Sequence, residues 1–492
     1  MTSSAAEAVG TRRALPLARV MGAVRAAPAG AAFLICVALA AISVPLLSWI
    51  PSSDPYAWID WGQEIASRLT SRTVALGLAG GPSWKPFPAI FTTIFGFFGH
   101  AAPQLWLIVP RAAGLLALVA AFRLGRRFGG VAAGVLAALA VCLVQDWLFY
   151  VARGASEPIV AALTLWAIDR HLSGRPRLAF LLIFAATLNR PEFSPFLVVY
   201  GAYLWLTVPG SKPLVAVLIV AVPIAWLVPP YVITGNALQA SSAALAGKGS
   251  PGTAIAELRS APGQVSVGVF ALAAVGFAFA LARREATLQW LGAGAIFWAL
   301  MVAVMTQVAY GLPRYLLPAG VVACLLAAVG VVRIAELAGR RLGRSAAVAV
   351  ACGLAAATLP WSVPRAKALI HQAHSADRAA FYQRRLFSAV DTAGGTKRVL
   401  PCRSSQVAIN HTVASALAWK LKVPLRRVKP LMRATGFVFR APHFAEVGLP
   451  PPILHASART IRTIAAVPPW QVFEVTARGA TATPRCAHGD RA

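Results

Sequence analysis

Acidic residues are scarce in this chain, with 16 Asp and Glu against 46 Lys and Arg in 492 residues. Charge of either sign is scarce as well, at 13%, where a water-soluble chain carries nearer a quarter. With 58% hydrophobic residues and a mean hydropathy of +0.67, an ordinary soluble fold is excluded. Lipid has to solvate most of such a surface, so the composition implies a polytopic helical membrane protein. Basic repeats interleaved with aromatics are missing, and so is any zinc-ligand spacing. A formal charge of +30 therefore does not point to nucleic acid as a partner. No internal repeat is evident, which weighs against a transporter built from inverted halves. Of the six cysteines, Cys36, Cys142, Cys324 and Cys352 fall in apolar runs as small packing residues. Cys402 and Cys486 lie in the tail and are open to a disulfide if that tail is extracytoplasmic.

Long apolar runs are what the chain does have. They place spans near 28–50, 104–122, 130–150, 155–168, 177–189, 194–208, 213–234, 264–282, 287–308, 315–333 and 346–362, about 11 in all. The first is too long for the apolar region of a signal peptide. Arg12 to Arg25, Arg123 to Arg127, Asp169 to Arg177, Arg283-Arg284 and Arg340 to Arg344 fall on one side by alternation, which the positive-inside rule makes cytoplasmic. The expected organisation has a cytoplasmic arm (1–27) and a transmembrane module (28–363) whose first external loop (51–103) carries interfacial helices. A basic extracytoplasmic α/β domain (364–492) follows. In the tail, 365–492, there are 20 Lys and Arg against 5 Asp and Glu, so anionic lipid head groups or anionic envelope polymers are its expected counter-charges. The tail opens on an expected helix, Arg365–Ala389, followed by short alternating strands.

Three of the 16 acids sit together in Asp54-Pro-Tyr-Ala-Trp-Ile-Asp60-Trp-Gly-Gln-Glu64. Trp58, Trp61, Ile65 and Leu69 recur at helical spacing there, so the segment reads as a helix lying on the membrane surface with Asp60 and Glu64 on its solvated side. Asp54 before Pro is equally a helix start and a candidate base. The expected external face also collects Lys85, Arg153, Glu157, Arg190, Glu192, Tyr310, Arg314 and Tyr315. Ionisable groups at bilayer depth are costly unless paired or lining a polar cavity. Guanidinium and ammonium groups there suit a lipid-linked phosphate, and a carboxylate suits the activation of a hydroxyl. Each has a structural reading too: Arg153 with Glu157 and Arg190 with Glu192 as ion pairs tying loops, Lys85 as a snorkelling side chain. His100, His371 and His374 form no metal cluster.

These residues resemble a known family, the multi-spanning GT-C glycosyltransferases that use polyprenyl-phosphate sugars, in the branch of protein mannosyltransferase-like and lipid A aminoarabinose transferase-like enzymes. Asp54 matches the acid that opens their long first external loop, although the frequent Asp-Glu pair is here Asp54-Pro55. The second acid is therefore absent or supplied by Asp60 or Glu157. Lys85-Pro-Phe-Pro88 resembles the basic-Pro-Pro turn, Asn189-Arg-Pro-Glu192 the Arg-Pro-Glu segment, and Gly311-Leu-Pro-Arg-Tyr-Leu-Leu-Pro318 the late Arg-Tyr-X-X-Pro element. The resemblance covers roughly 28–335, and Gly80-Gly-Pro-Ser-Trp-Lys-Pro86 is similar to high-GC actinobacterial members. It implies inverting transfer, with Asp54 as base and the leaving polyprenyl phosphate held by Lys85 with Arg153, Arg190 or Arg314. Asp60, Glu157, Glu192 and Tyr315 would support them. The partners implied are a polyprenyl-phosphate-linked sugar donor, membrane lipids and an anionic envelope glycan or protein acceptor, in the cell membrane. Some relatives use a divalent cation, Mg or Mn; with one firm acid here, the expectation is none. Two other readings stand beside this one: a lipid or polymer transporter of flippase type, and a membrane-anchored envelope-binding scaffold.

Overall fold

The computed structural model describes residues 29–71, 83–246, 254–308, 312–402, 405, 407–429, 431–432, 436–441, 453–454 and 458–477. Tyr310 and Cys486 lie outside the described residues. Helices α1 (Ala29–Leu46), α2 (Ser53–Ser71), α3 (Pro86–Gly96), α4 (Ala102–Cys142), α5 (Trp147–Ala152), α6 (Glu157–Leu172), α7 (Pro176–Asn189), α8 (Ser194–Thr207) and α9 (Lys212–Thr234) come first. Then follow α10 (Gln239–Ala246), α11 (Ala254–Val265), α12 (Val267–Ala282), α13 (Ala286–Val308), α14 (Leu317–Leu342), α15 (Arg344–Ala357) and α16 (Leu359–Thr392).

Among the described residues, five helices are long and apolar enough to cross a membrane, and two bent pairs, α11 with α12 and α15 with α16, raise this to as many as seven. The difference from about eleven expected spans has two physical sources. First, α4 holds two of them: it reverses at Gly129 and Gly130, where Gly130 has φ +75. The two arms then pass so closely that a Cβ on Gly125 would meet the Ala133 carbonyl oxygen at 2.5 Å. Second, α6, α7 and α8 stand where spans were read but have only 16, 14 and 14 residues. At 1.5 Å per residue they are about 21 to 24 Å long, short of a hydrocarbon core of about 30 Å. The centre is α14, whose Val321, Cys324, Leu325 and Val329 are buried. It crosses α12 where Gly276 and Gly330 face each other, a small-residue contact of the kind that lets membrane helices approach. On the rim, Leu206 is 81% and Trp290 78% exposed, the surface that lipid covers.

The C-terminal unit adds α17 (Gly395–Val399), α18 (His411–Leu421) and strands β1 (Val407–Ala408), β2 (Val428–Lys429), β3 (Leu431–Met432), β4 (Gly436–Arg440), β5 (Ile453–Leu454), β6 (Ala458–Val467) and β7 (Trp470–Ala477). The main sheet has the order β2-β1-β4-β7-β6: β1 runs parallel to β2 and β4, while β7 runs antiparallel to β4 and β6. β3 and β5 form a separate parallel pair. Leu386, Leu417, Phe439 and Trp470 join α16 and α18 to the sheet in one core. The Asn410 side chain accepts from Thr412 N at 2.9 Å and starts α18. Cys402 is disulfide-bonded, and the four cysteines of the helical part are free. The expected tail helix at Arg365 starts earlier, at Leu359, and runs unbroken through position 364.

Candidate functional site

The surface helix expected at 54–69 is not on the surface. Helix α2 is wedged between the helical module and the C-terminal unit, with Tyr56, Trp58, Ile59, Asp60 and Trp61 all buried. Asp60 is 2% exposed, contrary to its expected solvated position. The Leu425 backbone N–H donates to it from the C-terminal unit, while burial and the nearby Glu64 carboxylate push its pKa well above the usual carboxylate range. The helical period of the apolar positions is correct, but α18 and the segment after it cover the face that looked free.

Asp54 lies in the first turn of α2, where its charge also favours the helix end. Its side chain remains 45% exposed, and its Oδ2 stands 3.7 Å from Arg314 Nη2. Arg314 comes from the single-turn helix Pro313–Leu316 that leads into α14. From α6, Glu157 reaches the same guanidinium, 3.5 Å from its Nε. Arg190 Nη2 donates to Glu157 Oε1 at 3.0 Å, and both side chains are buried. Arg190 lies over the Tyr315 ring at 4.5 Å and Arg314 at 5.9 Å. So Asp54, Arg314, Glu157 and Arg190 form one continuous chain of contacts drawn from four distant segments.

Lys85 joins it from the side. It is the extended residue before α3, and Pro86 begins that helix without needing an N–H partner. Its Nζ donates to Ser156 Oγ at 2.9 Å and lies 5.1 Å from the Trp58 ring centroid. Burial, then the positive charge of Arg190, push its pKa down to about 8, against the pull of Glu157 and Asp54. Asn189 Nδ2 donates to the Ser156 carbonyl at 3.3 Å and holds the two loops together. Of these five ionisable groups, three are cationic and two acidic, so one positive charge is left over for an anion.

Two expected site residues stand apart. Arg153 donates from Nε to the Ile50 carbonyl at 2.9 Å and lies over Phe149. It fastens the end of the first apolar segment to α5 and is not in the chain of contacts around Glu157. The expected Arg153–Glu157 and Arg190–Glu192 pairs are replaced by Arg190–Glu157 and Arg314–Glu157, because Glu157 opens α6 and faces both arginines. Glu192 lies in the single-turn helix Pro191–Phe193 beside Tyr315. Ser156 and Asn189 carry contacts that no sequence signal marked. Among the described residues no three of His, Cys, Asp and Glu gather at a metal-binding distance. Asp54 and Glu157, the carboxylates a divalent ion would take, both face Arg314, so the fit is poor and no step below uses one.

Below Lys85 and Glu157 opens an apolar groove of about 810 Å³ lined by Phe87, Phe91, Ile159, Ala162, Leu163 and Trp166. A second, of about 420 Å³, lies under Phe193, Trp298 and Pro318. The first groove is lined by Phe87 and Ile159, two residues along the chain from Lys85 and Glu157, and the second by Phe193, three along from Arg190.

No protein-family profile matches the sequence, and no curated protein matches it. Solved structures do match the fold, two of them over nearly its whole length. One is ArnT from Cupriavidus metallidurans bound to undecaprenyl phosphate, at TM-score 0.52 and 14% identity, covering 90% of this chain and 97% of that one. The other is the same protein in the apo state, at TM-score 0.51 and 14% identity, covering 91% and 98%. At that identity the likeness speaks for architecture alone: this chain has an ArnT-like fold, a helical membrane module with a small C-terminal sheet unit.

Proposed function

We propose that this chain is a membrane glycosyltransferase that takes a sugar from a polyprenyl-phosphate donor and passes it, with inversion, to a hydroxyl of a cell-envelope acceptor. The observation that carries the reading is the half-exposed Asp54 carboxylate 3.7 Å from Arg314, in a helical module that also holds an apolar groove of about 810 Å³. ArnT, which shares the fold, was solved with undecaprenyl phosphate bound. The lipid chain would lie in the groove beside Phe87 and Ile159, with its phosphate against Lys85 and Arg314.

Asp54 would accept the proton of the acceptor hydroxyl as its oxygen bonds to the anomeric carbon. The bond from that carbon to the phosphate oxygen breaks at the same time, and its electron pair leaves with polyprenyl phosphate. Lys85 and Arg314 would hold the growing charge on that oxygen. Glu157 is too enclosed to meet substrate; its work is to hold Arg190 and Arg314 in place. The transferred group would be a pentose or hexose, arabinofuranosyl or mannosyl as in the actinobacterial members the motifs resemble. The site would face away from the cytoplasm, with the C-terminal unit on the same side.

In proteoliposomes containing polyprenyl-phosphate sugar, Asp54→Asn is expected to reduce transfer by at least about a hundredfold while the protein unfolds at the same temperature. Undiminished transfer would remove Asp54 as the base.

A further inference from the structure

The larger apolar groove has a second end, and that end is cationic. Among its lining residues, Ile159, Ala162, Leu163, Trp166 and Arg170 come from α6. They are spaced by three, one, three and four residues, so they form one face of the helix along nearly its whole length. Arg170 stands about 20 Å along the axis from Glu157, and Arg175, the residue before α7, lines the same end. This end lies where α4 reverses, because Arg123 and Arg127 of its first arm reach Asp169 and Leu172. That arm, 102–128, is about 40 Å long and exceeds a hydrocarbon core of about 30 Å. The groove therefore runs from near Lys85 toward the opposite membrane face. Phe33, Ile94 and Leu178 line it and are exposed, so it is open along its side to lipid.

Charge at the arginine end is unbalanced. Arg123 Nε donates to Asp169 Oδ1 at 3.2 Å and Arg170 Nε to Oδ2 at 3.0 Å. These two guanidinium groups lie 5.5 and 5.1 Å from the Trp166 ring centroid. Arg127 Nη2 reaches a neutral acceptor, the Leu172 carbonyl, at 2.7 Å. Among the described residues, the exposed Arg175 side chain has no hydrogen-bond or ion-pair partner. Four guanidinium groups thus share one carboxylate. Glu285 and Glu336, which Arg333 links to Phe128 at the same turn, are held by Arg333 and Arg283. Residues 1–28, before α1, carry four arginines and one glutamate, so they offer no surplus of acid.

A polyprenyl phosphate has one anionic end, which the proposed function gives to Lys85 and Arg314. The arginine end is left for a different lipid, one that reaches it from the other face of the membrane. We infer that this end of the groove is a binding site for an anionic phospholipid of that leaflet. Its phosphodiester lies against Arg127 and Arg175, and an acyl chain rises beside Trp166, Leu178 and Leu182. A phosphodiester suits guanidinium groups held at a lipid boundary, and the chain covers apolar wall that would otherwise stay open. A zwitterionic lipid offers the same chain but brings its own cation to a site already rich in positive charge. Binding needs only the groove and the arginines, and stands whether or not the protein transfers a sugar.

The test uses the full chain in phosphatidylcholine nanodiscs with a phosphatidylglycerol probe that carries a diazirine midway along one acyl chain, the labelled residues being mapped by mass spectrometry. Labelling is expected inside the groove, on α1, α6 or α7, about tenfold above that from the phosphatidylcholine analogue of the probe. Arg127→Gln with Arg175→Gln is expected to lower it at least about fivefold, while Arg340→Gln with Arg341→Gln, an equal charge change at the end of α14, changes it less than about twofold. Equal loss in both pairs would show attraction by surface charge alone and overturn the site. Labelling confined to lipid-facing residues outside the groove, such as Val199 and Leu206, would reduce the phospholipid to boundary lipid and overturn it as well. Equal labelling of the groove by both analogues would overturn the head-group assignment. If the pair disturbs folding, Arg175→Gln alone repeats the test at an exposed position, with an expected loss of at least about twofold.

Discussion

Lys85 is the residue whose chemistry is most exposed to pH. Its pKa is pushed down to about 8 by burial and by Arg190, so in the empty site it loses its proton just above neutrality. A neutral amine no longer attracts a phosphate, and kcat/KM for the lipid donor reports the free enzyme. That ratio is expected to fall as pH rises through about 8, and Lys85→Arg should flatten the fall because guanidinium stays charged. An unaltered profile in the Lys85→Arg enzyme would take Lys85 out of donor binding. Glu157 makes a different prediction. It is 3% exposed and contacts two arginines, so Glu157→Gln leaves buried positive charge uncompensated. The expected loss is about 3–5 kcal/mol of stability, read from denaturant unfolding in detergent, with Glu157→Asp retaining part of it. Asp54, Lys85, Glu157, Arg190 and Arg314 were legible in the sequence because ionisable groups are rare in so apolar a chain and expensive where they stand. Ser156 and Asn189 were not legible: neutral polar residues are common at span ends, and only the fold brings Ser156 within 2.9 Å of Lys85. The pairing also escaped, since Glu157 chooses between arginines by geometry that spacing along the chain does not contain.

At the scale of elements, the site depends on how closely α2 and α3 cross. A Cβ on Gly62 would stand 2.3 Å from the Thr92 carbonyl carbon, and one on Gly96 would stand 2.7 Å from the Gly62 oxygen. Both obstacles are backbone, which cannot swing aside. Since α2 begins at Ser53 and α3 follows Lys85, this crossing fixes the distance between Asp54 and the cation opposite. Gly62→Ala is expected to cost about 1–3 kcal/mol by overpacking and to lower kcat, whereas Gly353→Ala, with open space around it, should change neither. Thermal unfolding beside transfer assays would check both, and equal behaviour of the two variants would refute the close crossing. The helical character of α2 and the turn before α3 were readable from periodicity and from Lys85-Pro86. The burial of α2 was not. Asp60, Glu64 and Arg68 give it the polar face of a surface helix, and the residues that cover that face are hundreds of positions later in the chain.

The whole molecule is joined at this same helix, because the C-terminal unit does not hang free of the membrane module. Trp49 donates to Asp377, Gln383 donates to Tyr56, and Leu425 donates to Asp60, so two separate segments of the tail, α16 and the turn at Leu425, grip the chain around 49–60. Asp60 is the costly member. Burial, reinforced by the Glu64 carboxylate, raises its pKa well above 3.8 in the folded protein, so the native state holds a proton that the unfolded chain has already released. Linkage then fixes the sign: the native state binds more protons, and stability falls as pH rises from the unfolded value near 3.8 toward the raised folded value. Asp60→Asn keeps the shape and an acceptor for the Leu425 N–H but cannot ionise. It is expected to remove that decline and to raise the unfolding temperature at pH 7 relative to the parent protein. The gain should appear in a probe of the joint, such as protease cleavage between the helical module and the sheet, before it appears in global unfolding. If the parent and Asp60→Asn proteins lose stability identically between pH 4 and pH 8, the buried carboxylate is not what makes the docking of the two units depend on pH.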